Sequence, residues 1–217
     1  MLTILEFIER SGASPFGAWF DSLDAAAAAK VTTAVRRLEL GNFSNVKGVG
    51  GGVFECRIDF GHGYRVYFGK DGETLMILLG GGTRSGRTET SRRRASDGAT
   101  TRSGSPRRSD MPLTREFKET VQARLQTDRK YRKELLREGV ECLLVGDLDT
   151  GKAVLRDYIN ATIGFEELSR RTKRPAKSLM RMLSPSGNPQ ARNLFEVIQH
   201  LQKVEGLHFE LSLRAAS

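Results

Sequence analysis

The chain is poor in several residue types on which a function could rest. It has two cysteines and three histidines in 217 residues. Cys56 and Cys142 lie in different halves without a close-spaced partner, and His62, His200 and His208 show no ligand spacing. The pattern speaks against a disulfide scaffold or a metal site and implies no cofactor; both thiols are expected to be reduced and buried. Long apolar runs are also missing. The longest, Leu75 to Leu79 and Cys142 to Val145, fall far short of the roughly 20 residues that a membrane-spanning helix needs, so no membrane partner is expected. The first ten residues hold Glu6 and Glu9, lack a basic start and show no small-residue cleavage site. They do not read as a signal peptide, and the expected location is cytoplasmic.

Hydrophobic residues (38%) and charged residues (28%) are plentiful, which suffices for a real core and, at this length, suits two small domains better than one. The formal charge of +9 is unevenly spread. Residues 1–82 carry −1, residues 83–110 carry +5 and residues 111–217 carry +5. A basic balance favours anionic partners, nucleic acid first, with a merely solvated basic surface as the alternative. Residues 83–110 consist largely of Arg, Ser, Thr and Gly, and their only hydrophobic residues are Ala95 and Ala99. Such a segment cannot offset its own ordering entropy and is expected to be a flexible joint. Met111-Pro112-Leu113-Thr114 then looks like the start of an independent protein.

In the first half, Leu2 to Phe7 is a strand candidate, and Ser14-Pro15 ahead of Phe16, Trp19 and Phe20 predicts a short helix. A second helix is expected from about Asp24 to Leu40, with Val31, Ala34, Val35 and Leu38 on one face and Gly41-Asn42 as its stop. From Val46 the periodicity changes to two. Phe54, Cys56, Ile58 and Phe60 alternate with Glu55, Arg57 and Asp59; after Gly61-His62-Gly63, Tyr64, Val66 and Phe68 alternate with Arg65, Tyr67 and Gly69. Lys70-Asp71-Gly72 makes the next hairpin, into Leu75 to Leu79. The expected fold is α+β, two helices packed on an antiparallel sheet. Because the apolar face must meet the helices, Arg57, Arg65 and Tyr67 share the open face, and Lys47 joins them if its strand pairs alongside. Cations and a phenol on a rigid sheet suit an RNA phosphate, where guanidiniums stabilise the charge that develops as a 2′-hydroxyl attacks phosphorus.

The run Trp19-Phe20 with Asp21 to Asp24, then Arg37-Leu38, Gly41-Asn42, Lys47 to Ile58, Gly63-Tyr64-Arg65-Val66-Tyr67-Phe68 and Leu78 to Gly82, resembles the RelE/ParE superfamily of toxins, closest to its HigB-like addiction-module-killer branch. Many members are ribosome-dependent, metal-independent messenger-RNA endoribonucleases, and the ParE-like branch attacks gyrase. The resemblance implies Lys47, Arg57 and Arg65 as phosphate-contacting or catalytic cations, with Tyr67 beside them. The family usually continues past the last strand with an acidic and a basic residue and a helix flanking the site. Here Gly82-Thr83-Arg84 runs into the arginine-rich segment, the pattern expected from a read-through or frame change that abolished the toxin's stop.

In the second half, Leu113 to Arg137 predicts one or two amphipathic helices, Glu138 to Val145 continues as helix, and Asp149 to Thr162 is another. Gly146 to Lys152 matches the start of a phosphate-binding loop, but Ala153 stands where Mg²⁺ needs a hydroxyl and no buried strand precedes it. A turn with Asp149 or Thr150 capping the next helix is the simpler reading. Phe165 to Ser169, the connection Lys173-Arg174-Pro175, and Ala176 to Leu183 have helix-turn-helix spacing, with an ordinary helical hairpin as the alternative. In that motif the second helix enters the major groove, which places Ala176, Lys177 and Arg181 at the bases and Lys173, Arg174 and Ser178 at phosphates or base edges. A helix over Asn193 to Val204 and a terminal strand over Leu207 to Leu213 complete the expected all-α bundle.

Ile159 to Leu168, Lys177 to Leu183 and Ser186 to Pro189 are similar to the helix-turn-helix antidotes, relatives of Xre and HigA, that accompany such toxins; the usual turn glycine is replaced by Lys173. The two resemblances together imply a fused toxin–antidote. Residues 1–82 would be the toxin, residues 83–110 the joint, and residues 111–217 the DNA-binding antidote. Operator DNA, messenger RNA on the ribosome, a toxin–antidote contact within or between chains, and a second copy in a homodimer are the implied partners. The antidote would neutralise the toxin either by covering its cationic face or by holding it off the ribosome.

Overall fold

Two side chains start the first helices. The Ser14 hydroxyl accepts the Gly17 N–H at 2.8 Å and Pro15 opens α1 (Pro15–Ser22); the Asp24 carboxylate accepts the Ala27 N–H at 2.9 Å and opens α2 (Ala25–Glu39). The computed structural model describes residues 2–72, 75–83 and 113–210. Among them the protein is mixed α/β, with six strands in one sheet and eight helices. The strands are β1 (Thr3–Ile8), β2 (Val46–Gly50), β3 (Val53–Ile58), β4 (Tyr64–Asp71), β5 (Leu75–Thr83) and β6 (Leu113–Glu116). Their order across the sheet is β2-β3-β4-β5-β1-β6.

β2 to β5 form the expected antiparallel meander. The sheet as a whole is not antiparallel, however, because β1 lies parallel to β5. Parallel neighbours need a long connection, and α1, α2 and the meander supply it. α1 lies so close on β5 that a Cβ at Gly81 would fall 2.1 Å from the Trp19 ring, so only glycine fits there. Of the joint expected over 83–110, Thr83 belongs to β5; the remainder lies outside the described residues.

Leu113 to Glu116 depart from expectation: they form β6, antiparallel to β1, with Leu113 opposite Ile8 and Glu116 opposite Leu5. Helices α3 (Phe117–Thr127), α4 (Arg129–Leu144), α5 (Leu148–Ala161), α6 (Gly164–Thr172), α7 (Ala176–Met182) and α8 (Ala191–Glu205) follow. Asp128 divides α3 from α4 by accepting the Tyr131 N–H at 3.0 Å. Gly146, at φ 85°, makes the α4–α5 turn. α5 already begins at Leu148, so Asp149 and Thr150 sit inside its first turn and do not cap it. The Lys152 ammonium of the loop-like motif is engaged by the Gly187 and Pro185 carbonyls at 2.7 and 3.3 Å. The expected terminal strand is absent over residues 207–210, and residues 211–217 lie outside the described residues.

The buried apolar side chains form one cluster that runs through both halves: Val66, Phe68 and Leu78 of the sheet, Phe16, Phe20 and Val35 of α1 and α2, Phe117 and Tyr131 of α3 and α4, and Leu155, Leu179 and Leu201 beyond. α2 contacts β3, α4 and α5. No described helix is long and apolar enough to cross a membrane.

Candidate nucleic-acid interfaces

In the antiparallel register Arg57 stands opposite Arg65, Tyr67 opposite Glu55, and Lys47 opposite Glu55. Residues directly opposite share a face, so Lys47, Glu55, Arg57, Arg65 and Tyr67 stand together, while Cys56, Ile58, Val66 and Phe68 are buried on the other side. The four side chains expected on one face, Lys47, Arg57, Arg65 and Tyr67, do stand together, and Glu55, which was not among them, organises the set.

Two guanidiniums facing each other repel, and Glu55 resolves the conflict. Its Oε1 accepts from Arg57 Nε at 3.0 Å, and its Oε2 accepts from Arg65 Nη1 at 2.7 Å and from the Tyr67 hydroxyl at 3.2 Å. Glu55 is only 4% exposed. Burial would raise its carboxyl, but the hydrogen bonds from Arg57, Arg65 and Tyr67 outweigh burial and hold it below the usual carboxylate range. The same contact raises Arg65, and burial together with Glu55 raises Tyr67, so the phenol keeps its proton. The signal available in the sequence was the alternation itself, which sets Glu55 two residues from Arg57 on the same face. Lys47 is exposed at the edge strand, and its ammonium has no hydrogen bond or ion pair among the described residues. The result is an ordered cluster of net positive charge whose guanidiniums are held in fixed directions before any anion arrives, which is what phosphate recognition requires.

Contacts from the second half reach α1, α2 and β1. A cleft of about 380 Å³ runs between the halves beside Arg57, lined also by Lys30, Arg37, Asn45, Glu138 and Cys142. Both cysteines are free and buried, and burial pushes each thiol up to about 11.

At the second site α6 and α7 are joined through Lys173, which adopts the left-handed conformation (φ 53°) that the usual glycine would take. A side chain there costs on the order of 1 kcal/mol. Lys173→Gly is therefore expected to raise stability by about 0.5–1 kcal/mol, read as a higher thermal midpoint. Leu179 and Leu183 anchor α7 in the core, leaving Lys177, Ser178 and Arg181 exposed on its outer side with Met180. Ala176 is half-buried at the start of the helix. Arg174 has a partner within the protein: its Nε and Nη2 both donate to Glu196 Oε2 on α8, at 2.9 and 2.8 Å, and its carbonyl accepts from Ser169. In this state its side chain ties the turn to α8, a partner 22 residues away in sequence that no local pattern announces.

No protein-family model matches the chain, and no solved structure matches it. A 71-residue stretch, 32% of this chain, is 45% identical to an uncharacterized protein of Haemophilus influenzae and spans 72% of that protein. The chain belongs to the family of that protein.

Proposed function

We propose that the chain is a toxin–antidote fusion: an α+β unit of residues 1–82 similar to the RelE/HigB messenger-RNA endoribonucleases, followed in residues 111–217 by a helix-turn-helix module that binds operator DNA and restrains it. The observation that carries this reading is the placement of the two basic sites. The second half docks on the helix side and on the free edge of β1, while Lys47 and Arg57 of the Glu55-ordered cluster and the outer side of α7 are exposed. Of the two ways of restraint, this arrangement favours exclusion by bulk. The attached helices would hold the cationic face away from a ribosome without filling it.

Lys47, Arg57 and Arg65 are the cations assigned to the RNA phosphate, Tyr67 lends a hydroxyl beside them, and Glu55 positions the set. On the DNA side Lys177, Ser178 and Arg181 are the readers, with Ala176 at the groove wall and Lys173 at a phosphate. The test is fluorescence anisotropy of the full chain on a duplex from upstream of its own gene and on a shuffled duplex. Tighter binding to the first is expected. Arg181→Ala should weaken that binding by about tenfold, and Lys177→Ala should reduce the dependence on salt by about one counterion. Equal affinity for both duplexes would leave a nonspecific nucleic-acid binder, and growth arrest on expressing the full chain would refute restraint.

A further inference from the structure

The cleft beside Arg57 owes its depth to the sequence of α2. Lys30, Thr33, Ala34, Arg37 and Leu38 recur at the spacing of one helix face, and all of them line it. Two small residues set between long ones leave room over Thr33 and Ala34. The opposing wall is Glu138, Glu141 and Cys142 of α4, while Cys56, Phe60 and the connection over 42–45 close the remaining sides. At about 380 Å³ the space falls at the lower end of the range of small-molecule sites, about 300–1,000 Å³.

Thr33 is 1% exposed, and its hydroxyl has no hydrogen-bond partner among the described residues. Its neighbour shows what α2 otherwise provides: the Thr32 hydroxyl donates to the Ala28 carbonyl at 2.9 Å and lies 2.7 Å from the Tyr131 hydroxyl. A buried hydroxyl left unpaired costs stability, and such a cost is retained where a ligand supplies the missing bond. The larger cleft, about 450 Å³ beside the start of α5, has no comparable orphan, because its buried Lys152 ammonium is engaged by Gly187, Pro185 and Asp149.

The chemistry of the ligand follows from what the lining leaves over. Lys30, Arg37 and Arg57 are matched by Asp59, Glu138 and Glu141, so the cleft does not select by net charge. Lys30 is taken by Glu138 and Glu141 at 2.7 and 3.2 Å, and Arg37 by Asp147 at 2.7 Å. The Thr33 and Ser44 hydroxyls, the Asn45 amide and the Asn42 Nδ2 remain, a set that both donates and accepts, with the Phe60 ring beside it. An uncharged flat ring with donors and acceptors along its edge meets all of these, and that is the chemistry of a nucleobase. We propose that the cleft binds a nucleobase, brought either by a free nucleoside or by an RNA strand passing Arg57.

The experiment uses the full chain. Its only two cysteines both line the cleft, so their already slow reaction with a thiol reagent reads occupancy. Ribose, the common ribonucleosides and a short single-stranded RNA are compared. A nucleoside or the RNA is expected to slow thiol modification by more than about fivefold, and ribose to leave it unchanged. Protection by a nucleoside identifies a free ligand; protection by RNA alone, lost in Arg57→Ala, identifies a strand. Thr33→Val should raise the thermal midpoint of the chain without ligand by about 2–4 °C, since it deletes the orphan hydroxyl, and weaken the protecting ligand by about tenfold. Asn45→Ala, at an exposed position, should weaken it by about threefold and leave the midpoint in place. No protection by any of the probes, unchanged affinity in Thr33→Val, or a lower midpoint for that variant would overturn the proposal. Only the RNA arm rests on the functional reading, so RNA that fails where a nucleoside protects counts against that reading and leaves the cleft's assignment standing.

Discussion

Replacing Phe117 with alanine is expected to cost the chain about 3–5 kcal/mol of stability. The ring is fully buried and packs edge-on against Phe16 and Phe20. Its loss removes transfer energy, leaves a cavity and forfeits two aromatic contacts. The informative feature is where the loss will be felt. The single tryptophan, Trp19, lies in α1, about a hundred residues before Phe117, with its ring 5.6 Å from that of Phe16. Urea unfolding followed by Trp19 fluorescence should move down by more than about 1 M, together with the far-ultraviolet helix signal, in one step. A tryptophan transition that stayed in place while the helix signal shifted would mean that the two halves unfold independently.

Asp157→Ala should cost a similar amount, about 3–5 kcal/mol, for an electrostatic reason. Arg36 and Asp157 are both buried, and Arg36 also bonds Glu39 on its own helix. Burial works against the Arg36 charge, but Asp157 and Glu39 together outweigh it and raise its pKa, so the guanidinium keeps its proton. Removing Asp157 leaves that cation with one partner and no solvent. Asp157→Asn, which keeps a polar oxygen, should lose less, and Arg36→Met with Asp157→Leu should recover most of the loss because the two deeply buried charges go together and Glu39, the remaining partner, keeps some contact with solvent. Chemical denaturation of the three variants measures the order. Equal losses for Asn and Ala would show that packing, and not charge, holds α2 to α5.

Local periodicity carried the first half well. The alternation from Phe54 to Phe68 anticipated the β3–β4 pairing closely enough to bring Arg57, Arg65 and Tyr67 onto one face, and the Ser14-Pro15 start and the apolar face from Val31 to Leu38 located both helices. What it could not show is what depends on distant partners. β6 is short, mostly polar and exposed, and it becomes a strand only because β1 offers an unpaired edge more than a hundred residues earlier. The direction of β1 against β5 is likewise a property of the whole path of the chain. Arg174 stands at phosphates or base edges by its position in the helix-turn-helix connection, and its engagement with Glu196 emerges only once α8 has folded back. Glu55 was in plain view, yet an acidic residue among cations reads as ordinary alternation until three donors are seen to converge on it.

The direction of β1 also bears on how the two halves of the chain are joined. Because β5 runs parallel to β1 and β6 antiparallel, the end of β5 at Thr83 and the start of β6 at Leu113 lie at the same end of the sheet, one strand to either side of β1. Strand spacing and the few residues by which β5 overshoots set them roughly 15 Å apart, a gap that about five extended residues span. The chain devotes residues 84–112 to it. Reach is therefore no constraint on how β5 is joined to β6. For a flexible loop the closure cost grows with the three-halves logarithm of length, so a connection of about six residues would cost about 1.4 kcal/mol less than one of 29 and would hold the two halves together more tightly.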